Sequence, residues 1–456
     1  MSHSRFQGAA YALAGTLCLS GCATYHALAL NSANVERRLR PPNSNALAIA
    51  ARQINHPLLH PLRLDASDGL SPDAAALLAV LLNPALRALR DQAGEAQAQL
   101  LKAGILPNPQ FSGNLDFVTG GATAGTRTGS GYGLNWDLQG VVTRGQDVAS
   151  ARADEQAVRL DIAWEEWQTA LAARTAVYDL IALRAQVALA GEISDRLASN
   201  ADLVSKAADI HEMPLLESAT LEVSANDARA VLLGLQQALE QRRIALNRAI
   251  GYPPATNLRL QSATELPSRV DPPSAATLLH GLEERRLDLL ALKRGYESED
   301  AKLRAAILAQ FPNITIGFNR ATDTGNVRTL GPAITMALPF FDRNQGSIAV
   351  ANATRQRLFD EYTNRVFAAR ADIAAALADV HSLNAQIAHA QKALPALCRV
   401  VEMSGKAVAE GNAGILGYST THNELTRKAL DLLKLQQQLA QARIALETTA
   451  ARPLSP

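Results

Sequence analysis

The feature that most constrains this 456-residue chain is an internal duplication. The helical motif at 83–90 aligns with 286–293 at an offset of 203 residues, and at the same offset Pro312 falls on Pro109. Further along, Gln-Arg-Arg-Ile-Ala-Leu at 241–246 aligns with Gln-Ala-Arg-Ile-Ala-Leu at 441–446, an offset of 200. Two Ala-rich helices aligned by chance would not also match in their prolines, strands and helix ends. The chain is therefore interpreted as two copies of one unit.

Each unit contains a helical run of unusual length. Residues 146–209 contain no proline, and a helix over these 64 residues is about 95 Å long at 1.5 Å per residue. Pro214 breaks this run, and a second helix is predicted from Leu215 to Ile250, closed by Gly251. The chain is 48% hydrophobic but only 4% aromatic, which is typical of long helices packed through narrow seams. These patterns predict a mainly α protein.

Two helix starts precede the first long run. Ser71 before Pro72, and Asn83 before Pro84, each place a capping side chain ahead of a proline at the first helical position. The second of these starts predicts a helix over 85–103, ended by the Pro-Asn-Pro sequence at 107–109.

Four short segments change the hydrophobic period from about 3.6 to 2, which predicts strands at 111–117, 132–138, 314–318 and 334–338. Eight of the twenty aromatic residues lie in the windows 111–141 and 311–341: Phe111, Phe117, Tyr132, Trp136, Phe311, Phe318, Phe340 and Phe341. An aromatic, alternating band is typical of the lipid-facing strands of an outer-membrane barrel. A soluble half-buried sheet has the same alternation, so the strands alone favour neither.

The N-terminus is predicted to be an export signal. Arg5 precedes a short apolar run, and Leu-Ser-Gly-Cys at 19–22 is similar to a bacterial lipoprotein signal whose cleavage leaves Cys22 acylated. An ordinary cleaved signal with a chance cysteine is the alternative. The predicted divisions are a signal at 1–21 and a lipidated linker without sustained periodicity at 22–70 that lies along the body. Cys398 is then left without a partner, which excludes a disulfide within one chain.

An exported chain can reach the outer membrane, where a four-stranded sheet would leave two unpaired edges in hydrocarbon. Several chains must therefore share one barrel. Two chains would give about eight strands and a filled interior, whereas three give about twelve and an open bore. The strand count thus predicts a homotrimer with a 12-stranded transmembrane β-barrel.

Several kinds of chemistry are missing. The chain has 44 Lys and Arg against 43 Asp and Glu, so its near-zero net charge gives no indication of a basic surface that binds nucleic acid. No nucleotide loop or nucleophile elbow is present. The nine histidines include no spaced pair of ligands on one helix face, so neither a metal site nor another cofactor is predicted. The chain is not expected to be an enzyme.

The chain resembles the TolC-like outer-membrane factors, in their lipidated branch. The residues that carry the resemblance are Asn83-Pro84-Ala85-Leu86, Leu106-Pro107-Asn108-Pro109, Leu246-Asn247 with Ile250-Gly251, the stretch 338–346, and Glu410-Gly411. The resemblance implies a trimer with a long α-helical barrel across the periplasm, a 12-stranded barrel among the outer-membrane lipids, and a closable tip. It divides the body into repeats at 71–254 and 274–450, a linker at 255–273 and a tail at 451–456.

A duct of this family passively carries substrate from an inner-membrane pump and a periplasmic adaptor. The stretch 340–346, Phe-Phe-Asp-Arg-Asn-Gln-Gly, is similar to the heavy-metal branch, which works beside a resistance-nodulation-division pump. Drug efflux and type I protein secretion stay open as cargo classes. A periplasmic coiled-coil scaffold or adaptor lipoprotein is the alternative from another functional class.

The long-helix turns are the candidate site. Tip and adaptor-docking candidates are His211, Met213, Pro214, Gly411 and Gly414, and acidic aperture candidates are Asp202, Asp209, Glu212, Glu402 and Glu410. Three-fold symmetry would turn any axial carboxylate into a ring that favours cations. Solvated helix-end carboxylates are the alternative. The two repeats differ at two of these positions: the first repeat has His211 where the second has Gly411, and Asn247 where the second has Glu447.

Overall fold

The computed structural model describes residues 23–64 and 68–454. Its contacts divide the chain into two units, 1–42 and 43–456. The described part of the first unit holds one helix, α1 (Ser32–Leu39), whose N-terminus is capped by the Asn31 side chain. The predicted signal and Cys22 lie outside the described residues.

The second unit is mainly helical. Its helices are α2 (Ser44–Arg52), α3 (Pro72–Leu82), α4 (Pro84–Gly104), α5 (Gln139–Asp209), α6 (Leu215–Ile250), α7 (Ala275–Leu279), α8 (Leu282–Arg285), α9 (Leu287–Leu308), α10 (Gln345–Ala409) and α11 (Ile415–Ala450). α5 has 71 residues, which makes it about 107 Å long.

The duplication is visible in the helix bounds. α6 and α11 have the same length at an offset of 200 residues, and α5 and α10 end at Asp209 and Ala409. Upstream, Ser71 caps α3 and Ser274 caps α7, an offset of 203, and each side chain accepts the N–H of the residue three positions on. The predicted capping by Asn83 is also confirmed, since its Oδ1 accepts the N–H of Ala85 at 2.8 Å.

The long helices form one layer in the order α6, α5, α11, α10. Helices α3, α4 and α9 pack on α5, and α9 also packs on α10. Narrow apolar seams hold the layer together, with Leu446 and Leu439 of α11 fully buried against Ile373 and Ile387 of α10. Helices α6 and α10 are therefore the two edges of the layer.

Two sequence expectations need correction. α5 begins at Gln139 rather than Gln146, because the Asp137 carboxylate accepts the N–H of Gln139 at 2.8 Å and starts the helix directly after the strand. Gly140 and Gly145 lie inside the helix. The predicted linker at 22–70 is also not without regular structure, because it contains α1 and α2.

The stretch after α2 is fastened to the body by His56. Its Nε2 contacts the carbonyl oxygen of Ala163 on α5 at 2.8 Å, and its Nδ1 accepts the N–H groups of Leu58 and Leu59 at 3.0 and 3.1 Å. Burial lowers the pKa of His56, which favours the neutral ring that this pattern requires. Leu58 packs beside Trp167 of α5, so this stretch does lie along the body.

The four strands are β1 (Gln110–Asp116), β2 (Gly129–Asp137), β3 (Ile314–Thr322) and β4 (Arg328–Met336). They form one antiparallel sheet in chain order. β3 runs on past the predicted Phe318, and β4 starts before the predicted Ile334, because the two strands stay paired through Arg320–Leu330 to Thr322–Arg328 although Arg320 interrupts the apolar alternation.

Among the described residues, no helix is by itself long and apolar enough to cross a bilayer. α3 and α4, bent by 50° where they meet, reach that length and composition only as a pair.

Candidate functional site: the exposed sheet and the helix turns

The sheet has one apolar face and one polar face. Phe111, Leu134 and Phe318 are paired in one row across β1, β2 and β3, and they are 72%, 54% and 53% exposed. Successive side chains of a strand point to opposite faces, so the neighbouring row of Ser112, Gly133 and Asn319 lies on the other face. An apolar face this exposed marks a surface that another protein or a membrane covers.

The polar face is built from small side chains. A Cβ atom at Gly317 would lie 2.1 Å from Oδ1 of the paired Asn135, so only glycine leaves room for this asparagine. β1 and β4 each have one side without a partner strand in the described chain. The sheet thus presents an apolar face, a polar face and two edges that can hydrogen-bond to another copy.

The two long-helix turns have the same backbone geometry. His211 has a φ of 64° and Gly411 a φ of 75°, both left-handed. Glu212 donates its N–H to the Ala207 carbonyl at 2.9 Å, and Asn412 donates to the Ala407 carbonyl at 2.8 Å. Both turns are therefore Schellman motifs, in which a left-handed residue lets the following N–H groups satisfy the last helical carbonyls.

The fold brings both turns to one end of the layer. Asn200 near the end of α5 approaches Ser419 near the start of α11, with 3.5 Å between Nδ2 and Oγ. His211, Pro214, Gly411 and Gly414 are exposed there, and Met213 is half-buried. Leu215 and Leu216, which sequence reasoning missed, are 77% and 79% exposed beside the first turn. The sequence does contain a signal for this apolar surface, since the two leucines directly follow Pro214, which breaks the helix.

The acidic candidates fall into two groups. Asp202 pairs with Lys206 at 2.6 Å, and Glu402 pairs with Lys406 at 2.9 Å, so the duplication repeats an ion pair near both turns. The hydrogen bond and positive charge of Lys406 lower the pKa of Glu402. The two lysines were missed by sequence reasoning, although their i,i+4 spacing from the acids was a signal.

The remaining acidic candidates form no ion pair in the described part of the chain. Glu410 accepts a hydrogen bond from the side chain of Asn412 at 3.2 Å. In the described chain, Asp209 and Glu212 have no lysine, arginine or histidine within ion-pair distance. Cys398 is exposed and reduced. Over the described ranges, no three His, Cys, Asp or Glu side chains are grouped closely enough to hold a metal ion.

This arrangement can be compared with known proteins. Residues 278–452 match the family model described as outer membrane efflux protein. The chain is 24% identical over 386 residues to the cobalt-zinc-cadmium resistance protein CzcC of Cupriavidus metallidurans, covering 83% of this chain and 86% of that protein.

Solved structures share the fold. The crystal structure of CusC, reported with its transmembrane channel formation, superposes with a TM-score of 0.69 at 20% identity, over 88% of this chain and 98% of that one. The outer membrane protein VceC of Vibrio cholerae gives a TM-score of 0.69 at 18% identity, over 84% of this chain and 96% of that one. With its duplicated helices, two-faced sheet and matched second repeat, the chain has the fold of these outer-membrane channels, and its second repeat matches the outer membrane efflux protein family.

Proposed function

We propose that this outer-membrane factor is the passive export duct of a tripartite efflux system and that its cargo is heavy-metal cations. The observation that carries the duct is the two-faced sheet with two open edges, placed at one end of a helix about 107 Å long. Three copies would pair those edges into a closed barrel with polar, small side chains inside. Such a duct needs no bond-making residues, because the pump supplies the transport work.

The metal cargo is supported by two observations. The cobalt-zinc-cadmium resistance protein CzcC is similar to this chain over most of both lengths. Asp209, Glu212 and Glu410 also place unneutralised carboxylates at the turns. In a trimer each of these would occur three times around an axis, which favours cations over anions.

The turns are the proposed docking end for the periplasmic adaptor and a resistance-nodulation-division pump. They lie at the end of the layer opposite the sheet, so they would be nearest the inner membrane. Exposed Leu215 and Leu216, together with the turn residues His211, Pro214, Gly411 and Gly414, offer an apolar surface with a polar rim. Acylated Cys22 is the proposed lipid attachment.

The cargo is tested in a strain that lacks this gene but retains the pump and adaptor. Complementation should restore growth on Co²⁺, Zn²⁺ and Cd²⁺ and lower the cell-associated metal several-fold, with hydrophobic drugs as the control substrates. A gain in drug resistance alone would replace the metal cargo with drug efflux. A native mass measurement in detergent should give a trimer, and a monomer with an intact sheet would contradict the duct itself.

A further inference from the structure

The seam between α5 and α11 contains a buried polar cluster. Asp179 and Gln186 of α5 are 1% and 2% exposed. Gln437 and Gln441 of α11 donate from Nε2 to Oδ1 of Asp179 at 2.8 and 2.6 Å. Gln186 in turn donates to Oε1 of Gln437 at 3.2 Å. These four residues, the α5–α11 clamp, satisfy one another at a single register of the two helices.

All four residue types recur 200 positions away. Asp379 and Gln386 lie on α10, and Gln237 and Gln241 lie on α6, at the positions equivalent to the clamp. All four are exposed. Within the described chain, Asp379 has no hydrogen bond or ion pair, and Gln386 bonds only Ser382 of its own helix, at 3.1 Å. They cannot meet in one protomer, because α5 and α11 lie between α6 and α10.

Apolar residues further along the same seam show the same contrast. Trp167 of α5 and Ile444 of α11 belong to one buried cluster and are 2% and 3% exposed. Their equivalents Phe367 of α10 and Ile244 of α6 are 73% and 40% exposed. Residues that are covered in the α5–α11 seam are therefore exposed at the equivalent positions of the edge helices α6 and α10. This is expected if α6 and α10 each carry one side of an equivalent interface.

We propose that α10 of one protomer packs on α6 of the next by repeating the α5–α11 contact. Asp379 then accepts hydrogen bonds from Gln237 and Gln241 of the neighbouring protomer, Gln386 donates to that Gln237, and Phe367 covers Ile244. The occupant of each exposed edge is thus a second copy of this chain. This inference rests on the proposed trimeric duct and specifies its helix register.

The register follows from the cost of leaving buried polar groups unpaired. Because Gln237 and Gln241 lie one turn apart, sliding one helix by a turn of about 5.4 Å would leave Asp379 with at most one of its two glutamine donors. A polar cluster of this kind fixes one alignment where an all-apolar seam would tolerate several. The two seams still differ beside the aspartate. Arg242 of α6 lies 3.3 Å from Oδ2 of Asp179, whereas Ala442 stands at the equivalent position of α11.

Crosslinking tests the register in a Cys398→Ser background. The pair Gln386→Cys with Gln237→Cys, treated with a short bismaleimide, should give covalent dimers and trimers on a denaturing gel. The matched pair Gln186→Cys with Gln437→Cys should react only within one chain. Gln386→Cys with Gln236→Cys, one residue out of register, should give several-fold less product.

The outcomes distinguish a failure of the proposed helix register from a failure of the proposed duct. A native trimer whose 386–237 product does not exceed the 386–236 product would overturn the register and leave the duct intact. A native monomer of the Cys398→Ser parent would overturn both. As a second measurement, Asp379→Arg should lower the trimer fraction several-fold, Gln241→Glu should restore it, and Gln236→Glu should not. If neither glutamate restores the trimer fraction, or if both do, the proposed contact between Asp379 and Gln241 is contradicted.

Discussion

Asn247 and Glu447 occupy equivalent positions 200 residues apart, both without exposed surface, and they bind different kinds of partner. Asn247 donates from Nδ2 to the carbonyl of Thr256 at 2.7 Å, which holds the loop after α6. Glu447 accepts from Nη1 of Arg174 on α5 at 2.5 Å, and Arg443 lies 3.3 Å from its other oxygen. Because the second repeat has a glutamate at this position, an ion pair holds α11 against α5. This ion pair lies at the C-terminal end of α11 rather than at the turns.

Glu447→Ala should destabilise the fold strongly. It leaves the half-buried guanidinium groups of Arg174 and Arg443 without their shared carboxylate, which costs about 3 kcal/mol, the lower end for a broken buried pair, because Arg174 keeps Asp73 and Arg443 keeps the Leu454 carbonyl. Thermal unfolding in detergent measures this. Asn247→Ala is the matched control and should cost about 1–3 kcal/mol, since only neutral hydrogen bonds are lost. Equal losses from the two variants would contradict the role of the charge.

Asp161 on α5 should make stability depend on pH. Although the residue is exposed by surface area, the neighbouring side chains desolvate its carboxyl, and this effect, followed by the negative charges of Asp288 and Glu165, raises its pKa from 3.8 to about 6, against the opposing effect of Arg365. The folded state therefore holds a proton that the unfolded state has lost, and this contribution to stability falls as pH rises from about 4 through 6.

In Asp161→Asn the loss of folding stability with rising pH should be smaller. The variant should be more stable than the wild type at pH 8, by about 1 kcal/mol once solvent screening is allowed for, and equal to it at pH 3. Unfolding temperatures across this range are the measurement. A variant that is less stable at pH 8 would show that the Asp161 carboxylate is stabilising in its charged form.

The sequence predicted those parts of the fold that carry local signals. Pro214 and Gly251 bound α6 at the predicted residues, because one removes a donor and the other adopts a left-handed φ of 94°. The start of α5 was predicted at Gln146, seven residues too late, because the helical period alone does not show that the Asp137 carboxylate, at the end of β2, accepts the N–H of Gln139. A local contact at the junction of strand and helix decided this boundary.

The buried clamp was not predicted for a different reason. Asp179 and Gln186 lie in a long helix rich in polar residues, where period alone does not separate a buried amide from a solvated one. The duplication did hold a signal, since both residue types recur at 379 and 386. The adaptor-docking role of the turn residues stays a prediction.

Cys22→Ala should lower sorting to the outer membrane without abolishing insertion. Acyl chains and the apolar sheet face are two separate anchoring devices, so the loss of one leaves the other. Membrane fractionation with a urea wash is the measurement. Full release of the variant into the soluble fraction would favour a periplasmic scaffold held only by its lipid.

The last prediction concerns Gly411 at the second turn. Gly411→Val should impair coupling to the pump, because a β-branched residue is strained at a φ of 75° and the turn would have to rearrange. Space is not the obstacle, since a Cβ atom there would have no heavy atom within 4 Å. His211 occupies the equivalent position with a φ of 64°, so the turn tolerates some side chains.

Gly411→Asn is therefore the matched control, because asparagine tolerates the left-handed region at low cost. The trimer should persist in both variants, since the sheet lies about 100 Å away by the helix rise. Export-dependent resistance and crosslinking to the adaptor should fall several-fold in Gly411→Val and stay near wild type in Gly411→Asn. Wild-type behaviour of both variants would mean that the adaptor docks elsewhere, and equal loss in both would implicate the missing glycine surface rather than backbone strain.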